Sequence, residues 1–196
     1  MNIDSFDAKD FLPYYLTEDQ KIGLAQAMKT FPQKSNIFTS LLQDQILQGD
    51  CWDKAPIVDV VTGQSDRVRV MLLSNSCDID PSNKRDLPVS ITYAPVIDFD
   101  LYRKMLEKQG VDVVSIEAKL NAIREQKITN LFFVPSGNID RDGIVLLDRV
   151  LSIPYSYFAG LTDKIKLASL NQFGHFLLAF KLSIHFCRLH EGIARG

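Results

Sequence analysis

The run at 67–80, Arg-Val-Arg-Val-Met-Leu-Leu-Ser-Asn-Ser-Cys-Asp-Ile-Asp, constrains the fold more than any other part of the chain. Residues 68–74 are β-branched or aliphatic apart from Arg69 and the closing Ser74, which predicts a buried strand. The strand passes without a spacer into small polar residues that carry the thiol of Cys77 and the carboxylates of Asp78 and Asp80. An apolar strand ending in such a loop needs a scaffold around it and presents the loop as a candidate site.

The rest of the chain supplies that scaffold. Residues 1–48 have helical character. Thr17-Glu18-Asp19-Gln20 matches a capping box, Leu24, Ala27, Met28 and Phe31 follow at helical spacing, and Pro32 stops the run. Ile37, Phe38, Leu41, Leu42 and Ile46 predict a second short helix before Gly49. From Gly49 the period changes to that of strands. Gly49-Asp50-Cys51-Trp52 and 57–61 read as strand material, with a turn at 62–66 before the central strand. A polar loop at 80–86 leads to a strand at 87–97, where Val89, Ile91, Tyr93, Pro95 and Ile97 alternate and Pro95 predicts an end or an edge.

Residues 98–127 interrupt the strands with two amphipathic pieces. Phe99, Tyr102 and Leu106 share one face, Gly110 is placed to close the first helix, and Ser115 is placed to cap a second containing Ile116, Leu120 and Ile123. Strands resume at 130–135 and 143–151, joined by turn residues at 136–143, and a last strand falls near 164–167. Ser169-Leu170-Asn171-Gln172 is a second capping box, predicting a C-terminal helix over 168–190. Its apolar residues cover more than one face, so it needs burial on two sides, by the sheet and by either the N-terminal helices or a second copy.

Hydrophobic residues make up 46% of the 196-residue chain and the net charge is −2, so no global basic footprint for nucleic acid exists. The start, Met-Asn-Ile-Asp-Ser-Phe-Asp, lacks the basic and apolar regions of a signal peptide. Three widely spaced cysteines, Cys51, Cys77 and Cys187, then predict reduced thiols in a cytoplasm. No apolar run reaches the ~18 residues of a membrane span.

Cys77 with Asp78 is the first candidate for chemistry, but a nucleophilic thiolate needs a cation or histidine beside it. His175, His185 and His190 all fall on or next to the C-terminal helix. The plainer role for Cys77 is to end a buried strand. Asp78 and Asp80 are spaced for a divalent cation or an acid–base pair, but the plainer reading is a polar turn in which they accept backbone amides. Asn138-x-Asp140-x-Asp142-Gly143 opens like a calcium loop, but its twelfth position is Arg149, so a hairpin turn is expected and no metal. Three cysteines without a close pair give no zinc pattern, and nothing in the chain calls for a cofactor. Arg67, Arg69, Lys84, Arg85, Arg141 and Arg149 form a basic surface only if their strand ends converge.

The order of pieces from Gly49 onward resembles the MazF/PemK family of toxin-like SH3-type barrels. The resemblance lies in Gly49-Asp50-Cys51-Trp52, Val70-Met71-Leu72-Leu73-Ser74, Ala94-Pro95, and Val145-Leu146-Leu147-Asp148-Arg149-Val150 ahead of the C-terminal helix. The family's ribonucleases carry Arg-Pro at the start of the strand, where this chain has Arg67-Val68-Arg69-Val70. They also carry a threonine or serine after Ala-Pro, where this chain has Val96, Ile97 and Asp98.

The resemblance implies an SH3-like, strongly bent β-barrel with a C-terminal helix, and the N-terminal helices and inserted helical hairpin read above make the expected fold α+β. The length of the chain fits a single domain over 1–196, with the barrel expected at 49–97 and 128–167. It also implies a toxin–antitoxin or phage-defence setting. Two functions are expected in turn. The first is a binding or regulatory module with a protein partner or a second copy of itself, using Arg67, Ser74, Asn75, Ser76, Lys84 and Arg85. The alternative is a metal-independent endoribonuclease acting on RNA, with Arg69 stabilising the phosphorane and Asp78, Asp80 or Cys77 moving protons.

Overall fold

In the computed structural model of the chain, the described residues are 22, 36–59 and 61–186. Two compact units are present, Met1–Asn36 and Ile37–Gly196, and the fold below is that of the second. The capping box at 17–20 and the helix expected after it lie outside the described residues, as do Cys187 and His190.

Eight strands form one antiparallel, curled sheet. They are β1 (Phe38–Thr39), β2 (Cys51–Val58), β3 (Ser65–Leu72), β4 (Ser90–Asp98), β5 (Leu131–Val134), β6 (Gly143–Leu146), β7 (Leu151–Pro154) and β8 (Ile165–Leu170). Their order is β1-β8-β2-β3-β4-β6-β5, with β7 also on β4. Five helices accompany them among the described residues: α1 (Ser76–Ile79), α2 (Phe99–Lys108), α3 (Val113–Arg124), α4 (Tyr155–Gly160) and α5 (Gln172–Phe186). The class is α+β. Among the described residues, no helix is long and apolar enough to cross a membrane.

Two irregularities, besides an extra residue on β8 opposite Cys51 and Trp52, bend the sheet. Between β2 and β3 the register runs Trp52↔Val70 and then Ala55↔Val68, one extra residue on β2, and Lys54 takes φ +60° there. Such a bulge increases local twist and turns the strand. The second lies along β4. Tyr93 pairs with Leu151 of β7 and Val96 with Val145 of β6, so Ala94 and Pro95 face the five residues 146–150. The single strand expected at 143–151 is therefore split by a turn, closed by the Arg149 amide donating to the Leu146 carbonyl at 3.1 Å. Pro95, expected at an end or edge, sits mid-strand opposite Val70 of β3. On its other side β4 passes from β7 to β6, where a residue without an N–H leaves no ladder bond unmade.

The curl encloses a core of Trp52, Ala55, Val70, Leu72, Ile79, Ile91, Tyr93 and Phe158. Val70, Leu72 and Ile91 are fully buried, each stabilising the fold by about 1.5–3 kcal/mol relative to exposure. Phe158 of α4 meets Trp52 edge-on with ring centres 5.6 Å apart. The Tyr93 hydroxyl, inside this core, donates to the Pro56 carbonyl at 2.5 Å.

The helical hairpin expected at 98–127 is present as α2 and α3. Asp98 caps α2 by accepting from the amides of Asp100 and Leu101, and Gly110 (φ +77°) turns the chain out of it. The cap of α3 is Asp112, whose carboxylate accepts from the Ser115 amide at 3.0 Å; Ser115 itself lies inside the helix. An Arg103–Glu117 ion pair joins the two helices, and Phe99 packs edge-on against Phe133 of β5.

Two further expectations are corrected. Residues 37–46, spaced like a helix, form β1 and then turns, because Phe38 and Thr39 pair with Leu170 and Ser169 of β8. Ser169 does not cap the C-terminal helix: it is buried in β8, and Asn171 accepts from the Gly174 amide at 2.9 Å to open α5.

Candidate functional site

The loop that follows β3 is held from within. Ser74 accepts the Thr92 amide on its hydroxyl at 2.7 Å, and the Leu73 amide donates to the Thr92 carbonyl at 2.8 Å. Asn75 accepts the Cys77 amide and so starts α1, while the Ser76 hydroxyl accepts the Gln48 amide at 2.9 Å. Gln48 returns a bond from its Nε2 to the Leu73 carbonyl at 2.7 Å. Ile79 seats this turn in the core. The small polar residues after the strand therefore supply the acceptors and donors that a sharply turning backbone needs.

The charged members of the loop are similarly engaged. Arg85 donates to the Cys77 carbonyl at 2.8 Å and lies 3.6 Å from an Asp78 oxygen, and Asn83 donates to the same carbonyl at 2.6 Å. Asp80 accepts the Ser82 amide at 2.8 Å, and that bond holds its carboxyl below the usual range. Lys84 is exposed. The Cys77 thiol is free and exposed. Among the described residues, no hydrogen bond joins it to His175 or His185, both of which belong to α5. Burial pushes the His175 imidazole down.

Arg67 lies toward the other end of β3 and Arg69 near its middle. Seven residues at about 3.3 Å each put Arg67 roughly 23 Å along the chain from Ser74. Arg67 donates to the Lys54 carbonyl at 3.1 Å and stands 3.7 Å from Asp163. Arg69 pairs with Asp140 at 2.8 Å. Asp140 also holds Arg141, which reaches on to Asp98 at 2.9 Å. The Arg69 hydrogen bond, aided by Arg141, keeps the Asp140 carboxyl low. This alternating chain of charges ties β3, the β5–β6 connection and the start of α2 together. Arg69, expected to meet phosphate, is thus neutralised in place by a partner that lies outside the loop at 74–85.

A third cluster explains the Gly49-Asp50 pair. Gly49 has φ +84°, and a Cβ on it would fall 2.4 Å from the Leu170 side chain, so both backbone and space require glycine. Asp50 is wholly buried. Its Oδ2 accepts the Leu47 amide at 2.8 Å and meets Lys166 Nζ at 2.8 Å. Lys166 also donates to the carbonyls of Leu42 at 2.6 Å and Gln45 at 2.7 Å. Burial raises the Asp50 carboxyl despite its partner. In the sequence Lys166 shows only as the single charged residue of β8.

An open recess lies beside the core. Pro56 and Val58 of β2, Arg67 of β3, Tyr93 of β4, Ile153 of β7 and Tyr157 of α4 line a hollow of about 200 Å³. Val58 and Tyr157 are about half exposed, and the fully buried Tyr93 forms part of the lining. Desolvation pushes the Tyr93 hydroxyl up to about 12. Among the expected binding residues, Arg67 alone lines this hollow. Nothing in the local sequence marked Tyr157, because its placement depends on α4 folding back over β7. No protein-family model matches the chain, and no curated protein matches it.

Proposed function

We propose that the chain is a binding module built on a MazF/PemK-like, SH3-type barrel, acting in a cytoplasmic toxin–antitoxin or phage-defence setting on a protein partner or a second copy of itself. One observation carries this reading. Of the groups that would have to stabilise a phosphorane or move protons, Arg69 is committed to Asp140, Asp80 to its own turn and Asp78 to Arg85, while the exposed Cys77 thiol has no hydrogen bond to His175 or His185 among the described residues. What supports the barrel part of the reading is the curled antiparallel sheet with Gly49-Asp50 leading into β2, whereas Ala94-Pro95 lies inside β4 and a turn interrupts the run at 145–150. The recess at Arg67 and Tyr157 offers what a partner's side chain uses: an aromatic face, a cation and an apolar floor.

The test expresses the full chain alone and follows growth and RNA integrity, for wild type and for Arg69→Ala. Unimpaired growth, intact RNA and co-purification of a partner that is lost on Tyr157→Ala are the expected results. RNA cleavage that disappears with Arg69→Ala would replace this reading with a divergent endoribonuclease.

A further inference from the structure

We infer a second binding site, independent of the proposed function, in the groove between the helical hairpin and the β4–β6–β5 part of the sheet, and assign it a small aromatic or branched aliphatic carboxylic acid. Ile97, Leu131 and Leu146, from three neighbouring strands, form its apolar floor, and Tyr102 and Met105 of α2 form one wall. Lys119 and Arg149 also line it. The space is about 310 Å³, at the small end of the range that holds organic ligands.

Charge gives the groove its preference. The remaining polar residues answer one another, with Asn130 donating to the Asp148 carboxylate at 3.0 Å. Lys119 lies 5.6 Å over the Tyr102 ring. Among the described residues, neither Lys119 nor Arg149 has an ion-pair partner, which sets them apart from Arg67, Arg69, Arg85, Arg103 and Arg141. An apolar floor beside two cations that outnumber the single carboxylate of Asp148 matches a compact apolar body carrying one anion. The guanidinium of Arg149 favours a carboxylate, because its planar donors match two oxygens at once.

The probe is 4-phenylbutyrate, titrated into the full chain at millimolar concentrations by calorimetry, with amide shifts followed by NMR. Saturable one-to-one binding that perturbs the amides of Tyr102, Lys119 and Arg149 is expected. Arg149→Gln should weaken it about tenfold, the loss of one charge-assisted pair. Met105→Glu, at a half-exposed position that leaves the fold intact, should weaken it as well by placing a like charge at the wall. The neutral 4-phenylbutanamide should bind at least about tenfold more weakly, on the same ground. Absence of saturable binding overturns the proposal. So does equal affinity for acid and amide, affinity unchanged by Arg149→Gln, or shifts confined to another part of the surface.

Discussion

Lys166 Nζ lies 2.8 Å from Asp50 Oδ2, with 6% of the lysine side chain and none of the aspartate side chain exposed. The pair joins β8 to the residue that opens β2, and through the Leu42 and Gln45 carbonyls it also fixes the turn segment before β2. Removing one partner leaves the other charge buried without compensation, which typically costs about 3–5 kcal/mol. Asp50→Asn should therefore lower stability by about 3 kcal/mol in urea denaturation. The double variant Asp50→Asn, Lys166→Met should lose clearly less than the sum of the two single losses. Additive losses would show that the two charges do not act as a pair.

Gly174 is a helical glycine at which alanine destabilises. In an exposed helix the change to alanine gains about 1 kcal/mol. Here a Cβ would stand 2.5 Å from the Ile37 carbonyl oxygen and 3.0 Å from Leu170 Cδ2. That carbonyl already accepts the Asn171 amide at 2.8 Å, so the backbone is held on both sides and cannot give way. Gly174→Ala should lower the thermal midpoint, whereas Gly160→Ala, where a Cβ meets nothing, should not by that route. A midpoint unchanged or raised by Gly174→Ala would refute the close approach of α5 to Ile37.

Tyr93→Phe tests how the recess is tied to the core. The hydroxyl has one partner, the Pro56 carbonyl, and removing it leaves that carbonyl without its donor at a cost of about 1–3 kcal/mol. The loss should appear in equilibrium unfolding with the slope against denaturant unchanged. A neutral substitution would mean that water replaces the hydroxyl, and that the hollow is wetter than its lining suggests.

These contacts show which parts of the fold can be read from the chain. Strand identity and the helical insertion follow from local periodicity: the apolar alternation of β4 and the amphipathic spacing of α2 and α3 depend on one face meeting a core. The places where periodicity misleads are those where long-range pairing decides. Residues 37–46 have helical spacing, yet Phe38 and Thr39 are taken into the sheet by β8, about 130 residues further on. Ser169-Leu170-Asn171-Gln172 fits a capping box two residues too early, because β8 continues through Ser169 and Leu170. At the candidate site, composition marks the loop 74–80 as chemically loaded, but only the fold shows that its hydroxyls and amides serve Thr92 and Gln48. Sequence spacing likewise does not reveal that Arg69 meets Asp140, 71 positions away.

The Arg69–Asp140 pair makes a prediction about acid. Asp140 has its carboxyl held low first by Arg69 and then by Arg141. A depressed carboxylate contributes stability above its unfolded value of 3.8 and loses it as pH falls through the lower folded value. In Arg69→Ala the Asp140 side-chain titration, read by carbon-detected NMR, should move up toward the ordinary carboxylate range. Stability near neutral pH should change little, because Asp140 is half exposed and water screens the pair. An unmoved titration would mean that Arg141 alone sets the Asp140 charge.

Lys181 carries the opposite sign. It is 4% exposed on α5, its ammonium donates to the Gln126 carbonyl at 2.6 Å, and burial pushes its pKa down from 10.5 to about 8. Gln126 is held in turn, with φ +59° and a side chain that binds both the amide and the carbonyl of Phe133. Between pH of about 8 and 10.5 the unfolded chain keeps a proton that the folded chain has released, so stability rises with pH through that window. Below it the buried ammonium is charged, and its desolvation is a standing cost to the folded state. Lys181→Met abolishes this titration. The difference in urea midpoint between wild type and Lys181→Met should therefore shift in favour of wild type as pH rises through the window, which cancels the lysines and tyrosines common to both. A difference that stays flat from pH 8 to 10.5 would show that Lys181 keeps an ordinary ammonium in the fold, and that its bond to Gln126 is made at little electrostatic cost.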